Sequence, residues 1–223
     1  VGRRAWFTLA LLSSTLLTVF FSETMLLPAI PEIIQDFNIT YGTAAWIFSA
    51  YLIVAAVMTP VAGRLSDLYG KKKVLLILLT IYIVGLATGG LADNISVLLL
   101  TRIVQGIGLA AVPAAFSLLR DTFPPAKLAI AVGVFGSAYS AGSVVGLLVG
   151  ASIIQNFGWH ATFLAIIPFA ALVTIMIAKF VKEDKKIHHT NSEETTDNTS
   201  RRKRASFPID IKGVAALSVT ITS

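Results

Sequence analysis

Between residues 128 and 178 the chain carries no Asp, Glu, Lys or Arg. In water such a run could only be core, yet it is 51 residues long. A helix that crosses a bilayer needs about 20 predominantly apolar residues, so the run is too long for one crossing and suits two. Asn156-Phe157-Gly158-Trp159-His160 supplies the natural turn, giving helices over about 128–154 and 161–180. Residues 37–63 and 74–92 are also free of charge, and so is 5–22, whose apolar stretch continues past Glu23 to about residue 29. Composition agrees: 55% of residues are hydrophobic and 13% charged, with mean hydropathy +0.78. A soluble domain carries about 25% charged residues.

The pattern predicts an all-α polytopic membrane protein with a six-helix bundle over residues 5–181. The first helix ends at Pro28 and Pro31, and residues 32–42 form a polar connection. The second helix covers about 43–62, with Trp46 as an interfacial aromatic. The third covers about 74–91, followed by a short turn at Asp93-Asn94. The fourth covers about 96–118, with Arg102 inside it, and leads into a loop over 120–127. Residues 182–206 are hydrophilic and read as a disordered linker. Residues 207–223 read as the start of a seventh helix that is cut short, and the first residue is Val1, so the chain is expected to be part of a longer protein.

Charge fixes the expected orientation. Arg3 and Arg4, the four cations of residues 63–73, Arg120 and Lys127, and the nine from Lys179 to Lys212 all fall on one side of the six crossings. Of the eighteen Lys and Arg residues, Arg102 is the exception. Basic residues accumulate on the cytoplasmic side, so a multi-pass protein of the cell membrane with a cytoplasmic N-terminus follows. The formal net charge of +6 is explained by that topology, and no nucleic-acid partner is expected. There is no Cys, and the three His make no metal-ligand pattern. No nucleophile–base pair or phosphate-binding loop is present, so neither an enzyme nor a metal or cofactor site is expected.

The stretch 63–73, GRLSDLYGKKK, joins the second and third helices as a short basic loop. Gly63 and Gly70 permit tight backbone geometry and close helix approach. Asp67 is an acceptor suited to a helix N-terminus, and Lys71 and Lys72 sit among headgroups. The spacing GxLxDxxGKK, on Gly63, Leu65, Asp67, Gly70, Lys71 and Lys72, resembles the signature loop of the major facilitator superfamily of secondary transporters. Leu68 departs from the basic residue usual after the Asp. Trp46, Tyr51, GWHATF at 158–163 and FPIDIKG at 207–213 resemble the group's fourteen-helix drug:proton antiporters.

Two charges lie within the expected spans. A charged side chain there costs about 2.5–3.5 kcal/mol on insertion scales and is retained facing protein or water. Arg102 has Gln105 and Gly106 on its own helical face, one able to hydrogen-bond and the other to admit a neighbouring helix. RxxQGxG resembles the fourth-helix motif of proton-coupled family members, which implies a proton-coupling role for Arg102. The alternative is a structural arginine tied to backbone carbonyls. Glu23 is the one carboxylate inside an expected span, suited to reversible protonation and to attracting cationic substrates. Its place resembles that of the helix-one acidic residue of several multidrug antiporters. The alternative places it at the outer interface, snorkelling.

In helix five Gly133, Gly142, Gly146 and Gly150 make a G-x8-G-x3-G-x3-G spacing, suited to close packing. It resembles the antiporter motif, with Leu147 and Ala151 departing from it. Asp121 at the end of helix four is placed to pair with Lys71 or Lys72 and latch the inner gate.

The resemblance implies proton-coupled export of lipophilic or cationic small molecules by the full-length protein, powered by the proton gradient. Its partners would be the bilayer, the substrate, protons and a second, C-terminal half. A proton-coupled metabolite symporter of the same fold and a membrane sensor or scaffold without flux are the alternatives.

Overall fold

The structure, a computed structural model, describes residues 2–181. The expected linker (182–206) and seventh-helix start (207–223) lie outside the described residues. Those described fold as helices throughout: α1 (Arg3–Met25), a 3-10 turn (Leu27–Ala29), α2 (Ile30–Asp36), α3 (Tyr41–Tyr69), α4 (Lys71–Gly89), α5 (Ile95–Leu109), α6 (Ala111–Thr122), α7 (Pro125–Phe157) and α8 (His160–Phe180). They make six spans long and apolar enough to cross a membrane: Arg3–Asp36, Tyr41–Tyr69, Lys71–Gly89, Ile95–Thr122, Pro125–Phe157 and His160–Phe180. The six-span expectation holds.

Several expected boundaries do not. Residues 63–69 are helical, so the expected loop 63–73 shrinks to Gly70 alone, and Lys71, Lys72 and Lys73 form the first turn of α4. The break needs glycine, because residue 70 has φ 98°, a region closed to most side chains. Asp67 is exposed on the last turns of α3 and does not cap α4, whose N-cap is Gly70 without a side-chain bond. Pro28 and Pro31 do not end the first span either. Each occupies the first positions of a new short helix, where a missing N–H costs nothing. The expected polar connection at 32–42 is therefore helical as far as Asp36. The expected loop 120–127 is a break at Phe123 and Pro124, with α6 and α7 running up to either side. Helix four is divided at Ala110, where Pro113 leaves the carbonyl of Leu109 without its usual donor.

Caps fall where side chains supply them. Thr40 accepts the N–H of Thr43 at 3.2 Å and Asn94 that of Val97 at 3.0 Å, replacing helix bonds that a terminus lacks. The apolar core has two parts. One, with Leu12, Leu75, Leu118 and Ile177, lies toward the end that gathers the cations, called here the basic end. The other, with Ile33, Ile47, Tyr82, Trp159 and Phe163, lies toward the opposite end.

Trp159 closes that opposite end. Its ring is fully buried, its Nε1–H donates to Asp36 Oδ2 at 2.8 Å, and Phe37 meets it edge-on at 5.6 Å. His160 stacks on it at 3.6 Å and bonds the Ala92 carbonyl at 3.2 Å. One Trp-His pair thus ties the α7–α8 turn to α2 and to the α4–α5 turn. A buried indole N–H needs such a partner, and the last residue of α2, Asp36, supplies it.

Candidate functional site

The expected helix-five glycines split into two groups. Gly142, Gly146 and Gly150 are buried against α1. A Cβ on Gly142 would stand 2.6 Å from the carbonyl oxygen of Leu17, and one on Gly150 2.5 Å from that of Met25. At Gly146 it would strike the Phe21 carbonyl and the Thr24 hydroxyl. The three glycines therefore meet Leu17, Phe21 and Met25, a matching four-residue step on α1, backbone to backbone. Thr24 Oγ1 crosses the seam and donates to the Ser143 carbonyl at 2.9 Å, the kind of interhelical bond that small-residue interfaces allow. Gly133 does not belong to this contact: it is exposed, with nothing within 4 Å of a Cβ. Its expected packing role is not met within the described residues. Leu147, where the spacing departs from the antiporter pattern, is exposed and lies off the seam.

Beside the seam is a cleft of 330 Å³, a size ordinary for small-molecule sites. Phe20, Glu23, Thr24 and Leu27 line it from the first span, Phe48 and Leu52 from α3, Leu109 from α5, and Tyr139 and Ser143 from α7. Phe20 and Tyr139 meet edge to face at 4.3 Å. Glu23 is half-buried and supplies the cleft's one charged group. Aromatic side chains and a carboxylate in one lining make a surface suited to an apolar cation, attracted by the charge and by ring quadrupoles.

Arg102 lies behind this wall and is fully buried. Its Nε–H donates to the Ile47 carbonyl at 3.0 Å and its Nη1–H to Gln105 Oε1 at 2.5 Å. Gln105 in turn donates to the Gly85 carbonyl at 2.9 Å. The guanidinium carbon sits 4.4 Å from the Tyr51 ring centroid and 5.7 Å from that of Phe48. Phe48 is thus shared between the cleft and the buried cation. Glu23 and Arg102 make no ion pair; what links them is Phe48, which lines the cleft beside Glu23 and meets the guanidinium. One guanidinium nitrogen, Nη2, is buried without a partner. Bonds to Ile47 and Gln105 account for the other side of the group, so a structural role explains part of Arg102 and leaves Nη2 over.

A Cβ on Gly106 would meet the Tyr51 carbonyl at 2.6 Å. The glycine brings α5 against α3 at the level where Arg102 reaches Ile47. At the basic end the expected pairing of Asp121 is present: Lys71 Nζ stands 2.6 Å from Asp121 Oδ2. Lys72 Nζ reaches the Ala178 carbonyl at 2.7 Å, one of the last turn of α8 that a helix leaves without an N–H. Adjacent lysines thus tie the start of α4 to the ends of α6 and α8. Gly63 and Asp67 stand apart from this arrangement: Asp67 is exposed, and Gly63 has nothing within 4 Å of a Cβ.

Sequence reasoning missed Thr24, Phe48, Tyr139 and Ser143. A partial signal existed for two of them: Tyr139 and Ser143 lie close to Gly142 on the same helix, so they border a close helix contact, whichever helix supplies it. Phe48 carried no such mark.

Comparison with known proteins bears on these features. The family model of the Major Facilitator Superfamily matches residues 12–220. Multidrug resistance protein 3 of Bacillus subtilis is 34% identical over 162 residues, which are 72% of this chain and 31% of that protein. The tetracenomycin C resistance and export protein of Streptomyces glaucescens is 30% identical over 218 residues, 96% of this chain and 37% of that protein. The chain thus spans about a third of the length of these relatives. Among solved structures, a bacterial homolog of the human lysosomal transporter Spinster matches with TM-score 0.73 at 19% identity, over 90% of this chain and 46% of that one. The human organic anion transporter MFSD10 matches with TM-score 0.72 at 19% identity, over 82% of this chain and 49% of that one. These likenesses extend to the fold. A family match over nearly the whole length, on a six-span bundle, means that this chain belongs to the Major Facilitator Superfamily.

Proposed function

We propose that the protein containing this chain is a secondary transporter that exports lipophilic cations in exchange for protons, with Glu23 as the group that the two compete for. The observation that carries this reading is the cleft, whose lining combines one half-buried carboxylate with Phe20, Phe48 and Tyr139. A carboxylate so placed holds either a proton or a cation, and competition for one site couples the two flows. Arg102, whose guanidinium lies 5.7 Å from the Phe48 ring that lines the cleft, biases that choice. The names of the relatives, resistance and export proteins, favour efflux over uptake. The cationic end of the bundle faces the cytoplasm by the positive-inside bias, in the cell membrane.

In superfamily architecture the substrate sits between two halves that rock against each other. A second bundle therefore completes the pathway, and the 223-residue chain reconstituted alone in liposomes is expected to give no flux.

The test uses the full-length protein in energised inside-out vesicles, with cationic drugs added while the pH gradient is followed. A drug that collapses the gradient in wild type and leaves it intact in Glu23→Gln supports antiport through Glu23. Collapse in both would remove Glu23 from the proton path. Silence across a broad drug panel would favour metabolite symport or a sensor.

The Lys71–Asp121 pair at the basic end is the natural latch for the state in which that end is closed. Asp121→Lys is expected to alter transport kinetics, and the exchange Lys71→Asp with Asp121→Lys to restore them in part. Wild-type kinetics in Asp121→Lys would dispose of the latch.

A further inference from the structure

Three helices at the basic end repeat one surface pattern. On α4, Lys73, Ile77, Thr80 and Val84 are all exposed and lie along one stripe, spaced by four, three and four. On α8 the exposed stripe is Leu172, Ile175 and Lys179, and on α1 it is Arg3, Phe7 and Ala10. Such spacing keeps residues on one helical face. In each case an outward stripe that is apolar, save for Thr80 on α4 whose hydroxyl is turned back to the Leu76 carbonyl, ends in an outward cation. The stripes are neighbours, because α8 packs against both α4 and α1. Lys72 fixes the first turn of α4 to the last turn of α8 through the Ala178 carbonyl, which sets Lys73 and Lys179 on adjoining turns. Phe7 meets Phe180 edge-on at 5.5 Å, bringing the start of α1 to the same place.

We infer that this face is a seat for an anionic phospholipid, whose phosphate headgroup lies among Arg3, Lys73 and Lys179 and whose acyl chains run along Ile77 and Val84 on α4 and Leu172 and Ile175 on α8. Charge complementarity selects an anionic headgroup: among the described residues α4 and α8 carry no carboxylate, the one on α1, Glu23, is remote from Arg3 along the helix, and Asp121 of α6, which reaches the first turn of α4, is paired with Lys71. The apolar stripes select a lipid over a free phosphate, since a soluble anion has no use for them. Basic pockets between membrane helices are suited to such headgroups. The inference rests on the membrane-spanning reading and is independent of what the protein transports.

The experiment compares two charge-matched triple variants of the protein, each purified from vesicles of mixed phosphatidylglycerol and phosphatidylcholine. Retained lipid is read by native mass spectrometry. One variant is Arg3→Gln, Lys73→Gln and Lys179→Gln. The other is Arg64→Gln, Arg120→Gln and Lys127→Gln, which removes the same charge from α3, α6 and α7. Wild type is expected to retain phosphatidylglycerol above its share in the vesicle. The first triple variant loses that preference, at about fivefold per cation, the equivalent of about 1 kcal/mol each near an anionic surface. The second keeps it, and soluble glycerol phosphate does not compete. Lys179→Gln alone, an exposed single change, is expected to give a partial loss. Equal loss in both triples, no preference in wild type, no loss in Lys179→Gln, or effective competition by glycerol phosphate would each overturn the inference.

Discussion

Gly146→Val is expected to disrupt the bundle more than any other single change described here. The new side chain would enter the space held by the Phe21 carbonyl and the Thr24 hydroxyl, and backbone cannot step aside as a side chain can. Overpacking costs about 1–3 kcal/mol in adaptable cores and more in rigid ones, so a loss at or above the top of that range is expected. Forcing the seam apart would also break the Thr24–Ser143 bond and move Glu23, one residue away. Gly146→Ala should fall between Gly146→Val and wild type. Gly133→Ala, in open space on the same helix, is expected to change stability by less than about 1 kcal/mol, and in the favourable direction by helix propensity. The measurement is thermal melting of the purified protein with drug efflux beside it. Equal melting of Gly146→Val and Gly133→Ala would mean that α1 and α7 do not meet through this stripe.

Arg102→Met is expected to separate stability from function. The cost of placing an arginine in the span, about 2.5–3.5 kcal/mol, is set against two hydrogen bonds of about 1.5–3 kcal/mol each to a charged group and a ring contact of up to about 2 kcal/mol. Removing the charge gives up both sides of that balance, and buried ion networks are often replaceable by apolar groups of similar volume. The Ile47 and Gly85 carbonyls lie inside helices and keep their backbone donors, so the group left in want is Gln105 Oε1, worth about 1–3 kcal/mol, which Arg102→Met with Gln105→Leu should recover. The double variant is expected to melt near wild type. Transport should nevertheless fall about tenfold to a hundredfold, the range of a coupling free energy of about 1–3 kcal/mol. Wild-type transport in that variant would assign Arg102 a purely structural role.

How far these features could be seen in advance depended on the physics behind each. Charge-free runs of span length announce membrane helices, because little else can be done with 51 such residues. The glycine stripe 142–146–150 was equally open to reading, since its period matches a helix face. The period could not say which helix would lie opposite, nor that Gly133 would be excluded. Boundaries were missed where polar residues were taken for loops. Residues 63–69 and 32–36 stay helical because membrane-surface turns keep their internal hydrogen bonds while exposing charge, so polarity there marks depth and not irregular backbone. Asp36 was missed for a related reason: its partner, Trp159, lies 123 positions away, and no local spacing encodes a tertiary bond. Arg102 and Glu23 stood out because charge inside a span is rare. That Phe48 would both line the cleft and meet Arg102 required the packing of α3 on α5.

The account turns on Glu23 as the site where proton and cation compete, and proton release on binding tests this without any need for flux. The full-length protein would be held in detergent in weakly buffered solution, a tightly binding lipophilic cation added, and the protons released counted across the acid-to-neutral range. Wild type is expected to release protons as the cation binds, with binding weakened as acidity rises, while Glu23→Gln binds without release and without that acid dependence. Release of the same size from Glu23→Gln would contradict the account and move the coupling site elsewhere in the protein.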